Sequence, residues 1–226
     1  MNGPARPDRP QILRDDDVGR SVALDVLNAG GVVALPTDTV YGIAVRLSAP
    51  DSIERLFHVK HRPPERGIAL LLGSAEQADA VGVTNVMSRR LAAVFWPGPL
   101  TLVLPRNPQA QLPTVLTDGA PTVGVRLPDH AAPRALATVL GPLPTTSANL
   151  SGEPDSLDVD MVVRQLGNRV DLILDGGRTP GAVPSTVVDC TGTNPRILRE
   201  GVLGTARILA ALRHRAEGLP FEPGTS

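Results

Sequence analysis

The stretch Val32-Val33-Ala34-Leu35-Pro36-Thr37-Asp38-Thr39-Val40-Tyr41-Gly42 constrains the fold more than any other part of the chain. It begins as an apolar run of strand length, directly behind Gly30-Gly31, which closes a helical pattern. Pro36 has no N–H to give to a ladder, so the chain must leave the sheet there. It leaves into small hydroxyls, one carboxylate and the only tyrosine of the sequence. An α/β protein presents its ligand at the carboxyl edge of buried strands of this kind. The same loop reads equally as Thr and Asp side chains capping a strand end, so the decision falls to the rest of the chain.

Read in order, helical and strand patterns alternate. Residues 1–11 form a lead-in, and Asp15 to Ala29 carries Val18, Val22, Val26 and Leu27 at helical spacing. Asp51-Ser52-Ile53-Glu54 and Ser74-Ala75-Glu76-Gln77 have capping-box spacing and each predicts a helix, the first delivering Lys60 and Arg62 just past its end. Thr84 is the expected cap of a further helix, which runs into the rigid turn Trp96-Pro97-Gly98-Pro99. Strands are expected at Ile68–Leu72, Leu100–Leu104, Thr122–Arg126, Leu143–Thr146, Val170–Leu174, Thr186–Asp189 and Arg196–Arg199. Pro105 to Pro121 reads as a loop. Helices are expected at His130–Leu140, with an Ala-rich face that makes a poor core, from Asp158, and at Thr205–Arg215. The sum is a single α/β domain over residues 12–216 with a mixed sheet, followed by a loose tail at 217–226.

Composition excludes several functions. The formal net charge of -1 gives no global reason to bind nucleic acid, and 2% aromatic residues make a base-stacking platform a poor expectation. Cys190 is the only cysteine, so neither a disulfide framework nor a cysteine metal site is expected. The first ten residues lack an apolar signal core, and no apolar run is long enough to cross a bilayer, which points to the cytoplasm. There is no Walker loop, no G-x-G-x-x-G opening a helix and no G-x-S-x-G elbow. The basic residues are Arg throughout except for Lys60, whose ammonium is a compact point charge that a guanidinium does not mimic.

Polar residues recur at strand ends. Thr37 follows the first strand, Arg126 ends another, Ser147 and Asn149 follow a third, Ser185 opens a fourth and Arg199 ends the last, while Lys60 and Arg62 come from a helix exit. Taken singly, Ser147-Ala148-Asn149 is an ST- or Asx-turn, and Arg126 and Arg199 are surface ion-pair partners. Sharing one rim, they would form a cleft for a small molecule with several negative charges, such as a nucleoside triphosphate beside a carboxylate.

Several motifs together carry a resemblance: Pro36-Thr37-Asp38-Thr39-Val40-Tyr41-Gly42, Lys60-His61-Arg62-Pro63, Trp96-Pro97-Gly98-Pro99-Leu100-Thr101, Val125-Arg126-Leu127-Pro128, Ser147-Ala148-Asn149, Pro184-Ser185-Thr186-Val187-Val188-Asp189 and Leu198-Arg199-Glu200-Gly201. In this order and spacing the chain resembles the YrdC family of threonylcarbamoyl-AMP synthases from about Asp15 to Gly201. The resemblance implies a twisted α/β sheet around a deep basic cavity. It also implies condensation of L-threonine, bicarbonate or CO2 and ATP to threonylcarbamoyl-AMP and pyrophosphate. The product would pass to a transferase complex that makes N6-threonylcarbamoyladenosine in tRNA.

Carried onto this chain, the resemblance has Thr37 contacting threonine and Ser185 closing that pocket. Lys60 and Arg62 would hold the carboxylate and the triphosphate as catalytic groups, and Ser147 and Asn149 would fix the nucleotide. Arg126 and Arg199 would neutralise its charge, with Mg2+ arriving on ATP. Asp38 and Pro184 stand where the family often has Glu, and neither is given a catalytic role. The chain ends too soon for the added C-terminal domain of long members, which implies the short, single-domain type. Two other readings stand beside this one. The first is an RNA-binding or ribosome-assembly module with weak tRNA contact through the same cavity. The second is a carbamoyl-adenylate former like the equivalent domain of hydrogenase-maturation carbamoyltransferases.

Overall fold

The computed structural model describes residues 9–61, 68–117, 119–181 and 183–213. The expected tail at 217–226, most of the lead-in, Arg62 and the last two residues of the expected C-terminal helix lie outside them. Ten strands form one mixed sheet: β1 (Gln11–Arg14), β2 (Val33–Leu35), β3 (Gly42–Ala44), β4 (Ala69–Leu71), β5 (Leu100–Pro105), β6 (Thr122–Arg126), β7 (Leu143–Ser147), β8 (Leu172–Asp175), β9 (Thr186–Asp189) and β10 (Arg196–Arg199). Their spatial order is β1-β8-β2-β3-β7-β4-β6-β5-β9-β10. The pairs β1/β8, β8/β2, β4/β6 and β5/β9 are parallel and the rest antiparallel. The helices are α1 (Asp17–Asn28), α2 (Pro50–Lys60), α3 (Gln77–Val81), α4 (Val86–Phe95), α5 (Thr114–Thr117), α6 (Ala131–Leu140), α7 (Val159–Leu166) and α8 (Thr205–Arg213).

Successive strand residues point to opposite faces, so the core is two cores. On one face Ala34, Ile43, Leu70, Leu102, Val125 and Val188 pack with residues of α2, α3, α4, α5, α7 and α8. On the other face Val33, Leu35, Ala44, Leu143, Leu172 and Leu174 pack against α1 and α6. The Ala-rich side of α6, expected to make a poor core, is therefore a core surface. Ala132, Leu136 and Ala137 are fully buried, together with Ala23 and Leu27 of α1. Small side chains let the two helices and the sheet approach closely.

Local details depart from the sequence expectations in physically simple ways. Gln11 opens a strand rather than ending a lead-in, because β8 gives it a parallel partner. Gly42–Ala44 is a strand the sequence does not announce, held by β2 on one side and β7 on the other. The Pro105–Pro121 loop contains the single turn α5. Neither expected capping box of the first two forms. Pro50 sets the start of α2, so Asp51 lies inside it and Ser52 Oγ donates to Gly30 O at 2.8 Å. In the second, α3 starts only at Gln77, whose Oε1 accepts from Gly73 N at 2.8 Å.

The cap of α4 is Asn85 rather than Thr84. Asn85 Oδ1 accepts from Ser88 N and Ser88 Oγ from Asn85 N, each at 2.8 Å, while Asn85 Nδ2 donates to Cys190 O. Thr84 instead gives its proton to Asp79 at the exposed surface. Asn85→Ala should thus cost about 1–2 kcal/mol in urea-unfolding free energy, whereas Thr84→Ala should change it by less than about 0.5 kcal/mol. Equal losses for the two variants would return the cap to Thr84.

Candidate active site

The helices over the second face stop short of the β6/β5/β9/β10 end, and there the sheet itself becomes the floor of a cavity of about 520 Å³. Its floor is set by strand alternation. Leu100, Leu102 and Leu104 of β5 point into the first core, and Thr101 and Val103 line the cavity. In β6, Val123 and Val125 are core while Thr122, Gly124 and Arg126 line the cavity. Ala69 and Leu71 of β4 and Ser185 and Val187 at β9 complete the same face. A side chain added at Gly124 would meet Ala69 Cβ and Thr101 Cγ2 at 3.6 and 3.7 Å, ordinary contacts, so glycine here leaves room above the floor.

Three polar assemblies stand around this floor. The first is built on Lys60, the last residue of α2, which is 3% exposed. Its ammonium donates to Ser147 O at 2.7 Å, Ser147 Oγ at 2.8 Å and Asn149 Oδ1 at 2.6 Å. Ser151 N donates back to Lys60 O, and Asn149 Nδ2 donates to Glu153 O. Ser147 lines the cavity, with Lys60 and Asn149 braced behind it. The ST- or Asx-turn reading of this motif is overturned: among the described residues neither Ser147 Oγ nor Asn149 Oδ1 accepts from a backbone N–H, and both accept from a buried cation.

The second assembly joins the loop after β2 to the end of β6. Arg126 is buried, and its guanidinium donates to Asp38 Oδ1, to Thr39 Oγ1 at 3.1 Å and to Gly98 O at 3.1 Å. Burial lowers its pKa and the charge of Asp38 opposes that shift. Arg126 is therefore an internal ion-pair partner, not a surface one. Thr37 Oγ1 accepts from Thr39 N and Val40 N and donates to Val40 O at 2.7 Å, so this hydroxyl organises its own loop. Tyr41, fully buried, ties that loop to the turn after β8: its hydroxyl donates to Gly177 O at 2.7 Å and accepts from Gly176 N. Burial first of all pushes the phenol pKa up to about 12.

The third assembly lies across the floor. Arg199 donates to Ser185 O through both Nε and Nη2, at 3.1 and 2.8 Å, and to Ser185 Oγ at 3.2 Å. Ser185 Oγ is 2.8 Å from Thr101 Oγ1. Asp155 also lines the cavity, and its charge acts on Arg199.

Thr37, Arg126, Ser147, Ser185 and Arg199 thus share one rim, as the sequence suggested, with Lys60 and Asn149 directly behind Ser147. Arg62 lies outside the described residues. Among those that are described, the charges on the lining are Arg126, Arg199 and Asp155, and Arg126 is paired with Asp38. The lining they draw is mixed in charge rather than uniformly basic. Sequence reasoning looked only at strand ends and so missed Thr101, Gly124 and Asp155. The alternation Leu-Thr-Leu-Val-Leu in β5 and Thr-Val-Gly-Val-Arg in β6 was the available signal, because one parity is bulky and apolar and the other is small or polar.

A mixed α/β sheet with hydroxyls and guanidinium groups gathered on an open half-face, and an ammonium braced behind one of those hydroxyls, offers the donors that an anionic ligand requires of an α/β protein. The profile of the Sua5/YciO/YrdC family, described as "Telomere recombination", matches residues 25–201, and the chain belongs to that family. It is 36% identical over 220 residues to the threonylcarbamoyl-AMP synthase of Bacillus subtilis (strain 168), covering 93% of this chain and 63% of that protein. It is 35% identical over 179 residues to the threonylcarbamoyl-AMP synthase of Vibrio vulnificus (strain YJ016), covering 77% of this chain and 94% of that one. The crystal structure of P. abyssi Sua5 complexed with L-threonine superposes with a TM-score of 0.84 at 33% identity, over 91% of this chain and 60% of that one. The chain therefore spans only about three fifths of the length of the B. subtilis and P. abyssi relatives.

The Asp38–Arg126 pair is shielded, with side-chain exposures of 13% and 8%. Asp38→Ala would strand the guanidinium without its counter-charge, and should lower stability by about 3 kcal/mol. Asp38→Asn, which keeps one acceptor, should cost less. Thermal melts in which Asp38→Ala matches the unaltered chain would show the pair to be dispensable.

Proposed function

We propose that this protein is an L-threonylcarbamoyladenylate synthase, a nucleotidyltransferase that condenses L-threonine, bicarbonate or CO2 and ATP to threonylcarbamoyl-AMP and pyrophosphate. The observation that carries the reading is the agreement in fold, over 91% of this chain, with a Sua5 structure complexed with L-threonine. The Vibrio synthase, covered over 94% of its length, supports it without help from a further domain. In the cell the product would be consumed in the cytoplasm by a transferase complex that modifies tRNA. The RNA-module alternative finds no support in the mixed charge of the described lining.

The chemistry asks for charge management. The threonine amine attacks CO2 and loses a proton to give a carbamate. A carbamate oxygen then attacks the α-phosphorus and expels pyrophosphate. Carboxylate, carbamate and triphosphate bring like charges into one place, so positioning and electrostatic stabilisation matter more than a strong base. In this reading Arg126 and Arg199 supply cationic donors from opposite sides of the floor. Lys60 adds its charge from behind Ser147 and fixes Ser147 and Asn149 against the nucleotide, with Arg62 following it in the chain. The Thr37 loop and Ser185 border the threonine pocket, Thr37 by shaping the loop as well as by contact. Among the described residues no group of three His, Cys, Asp or Glu is placed to hold a metal, and the proposal has Mg2+ entering as part of the ATP substrate, on phosphate oxygens.

Pyrophosphate release from ATP and bicarbonate, with and without L-threonine, tests the reading. Release that depends on threonine, with the adenylate seen by mass, is expected; turnover indifferent to threonine would move the assignment to carbamoyl-adenylate formation. Lys60→Ala should lose about 2–4 kcal/mol of transition-state stabilisation, and a near-native rate would remove Lys60 from the mechanism. Gly124→Leu should fill the floor and abolish binding of at least one substrate while the chain stays folded by circular dichroism. Full activity in that variant would mean that the substrates do not lie over β6.

A further inference from the structure

Three of the hydroxyl systems that border the cavity are hydrogen-bonded to Lys60, Arg126 or Arg199, and following their protons separates them. In the Thr37–Thr39 loop, Thr37 gives its proton to Val40 O, so the proton in the 3.1 Å contact between the two hydroxyls belongs to Thr39. Ser147 accepts from Lys60 and donates to Asn149 Oδ1 at 2.6 Å. In both systems every hydroxyl proton ends on a protein acceptor.

Thr101 and Ser185 differ. A guanidinium only donates, so the contact from Arg199 Nη2 makes Ser185 Oγ an acceptor. Two hydroxyls carry two protons, their 2.8 Å contact uses one, and no described residue accepts the other. Both side chains are buried, at 6% and 5% exposure, where an unmet donor is costly. The head-to-tail order Arg199 to Ser185 to Thr101 lets each oxygen accept one bond and donate one, and each bond polarises the next. It leaves the Thr101 proton facing the cavity that Thr101 lines.

We infer that Thr101 is a ligand-binding residue whose hydroxyl donates to an anionic oxygen, of a carboxylate or a phosphate, at the end of a relay from Arg199 through Ser185. The inference deepens the synthase reading and rests on it only for the identity of the anion. Arg199 supplies the charge from the rim, and the two hydroxyls carry its effect onto the floor without placing a second cation there.

The test is calorimetric binding of L-threonine, ATP and inorganic pyrophosphate, each alone, to the unaltered chain and to Thr101→Val, Thr101→Ser and Ser185→Ala, with a thermal melt of each. Thr101→Val keeps the shape and removes the proton, and should weaken one ligand by about 10- to 100-fold. Weakening of L-threonine would identify a carboxylate acceptor, and weakening of ATP and pyrophosphate together a phosphate. Thr101→Ser should stay within about threefold because it keeps the donor. Ser185→Ala should weaken the same ligand, and adding Thr101→Val to it should cost little more, since the two act as one unit. Unchanged affinities in Thr101→Val, or equal damage in Thr101→Ser, would overturn the inference. An unaltered chain that binds a ligand through Thr101 but releases no pyrophosphate would refute the synthase reading and leave the inference standing; one that binds none of the three overturns both.

Discussion

A sheet has two faces to bury, and in this protein the helices are distributed unequally between them. Among the described residues, six pack on one face; two pack on the other, over the β1/β8/β2/β3/β7 end. The remaining strands turn their alternate residues toward open space, which is tolerable only if those residues are small or hydrogen-bonded. Thr101, Thr122, Gly124 and Ser185 meet that requirement, while their neighbours Leu100, Leu102, Val123 and Val125 complete the covered face. The cavity is thus the direct result of where the cover stops, and its polar character follows from what an uncovered sheet face can carry.

Charge is handled differently at each wall. Lys60 is held by acceptors of a turn, Arg126 by a carboxylate, and Arg199 by a carbonyl and a hydroxyl near the surface. The second is an ion pair. Where Asp38 does the holding, much of the cation's field is cancelled before it reaches the cavity. The walls therefore differ in how their cations are held, although the sequence offers the same kind of basic residue at most of them.

Much of the fold was legible beforehand. Apolar runs bounded by Gly and Pro located eight of the ten strands, and the motifs from Pro36 to Gly201 located the family. What escaped was set by distant partners. Gly42–Ala44 is a strand because β7 lies beside it, and Gln11–Arg14 because β8 does. The cap of α4 was displaced by one residue because both Thr84 and Asn85 can cap, and Asn85 alone also reaches Cys190. Taken singly, Arg126 read as a surface ion-pair partner, since nothing near it in sequence announces Asp38. Thr101 was inside a quoted motif yet carried no assignment, because its role depends on Ser185 and Arg199, which arrive on another strand.

The bonds that define the cavity join residues remote in the chain: Lys60 with Asn149 across 89 positions, Asp38 with Arg126 across 88, Thr101 with Ser185 across 84 and Tyr41 with Gly177 across 136. None can close until a large loop has closed first, at an entropic cost that local contacts do not offset. As the polypeptide leaves the ribosome, its first 150 residues hold seven of the ten strands and most of the floor, yet lack β9 and β10 with Ser185 and Arg199. The complete cavity is consequently a property of the finished topology. A partly folded intermediate that lacks the last strands lacks Ser185, Arg199 and the wall they build, so whatever the cavity holds is held only once the sheet is complete.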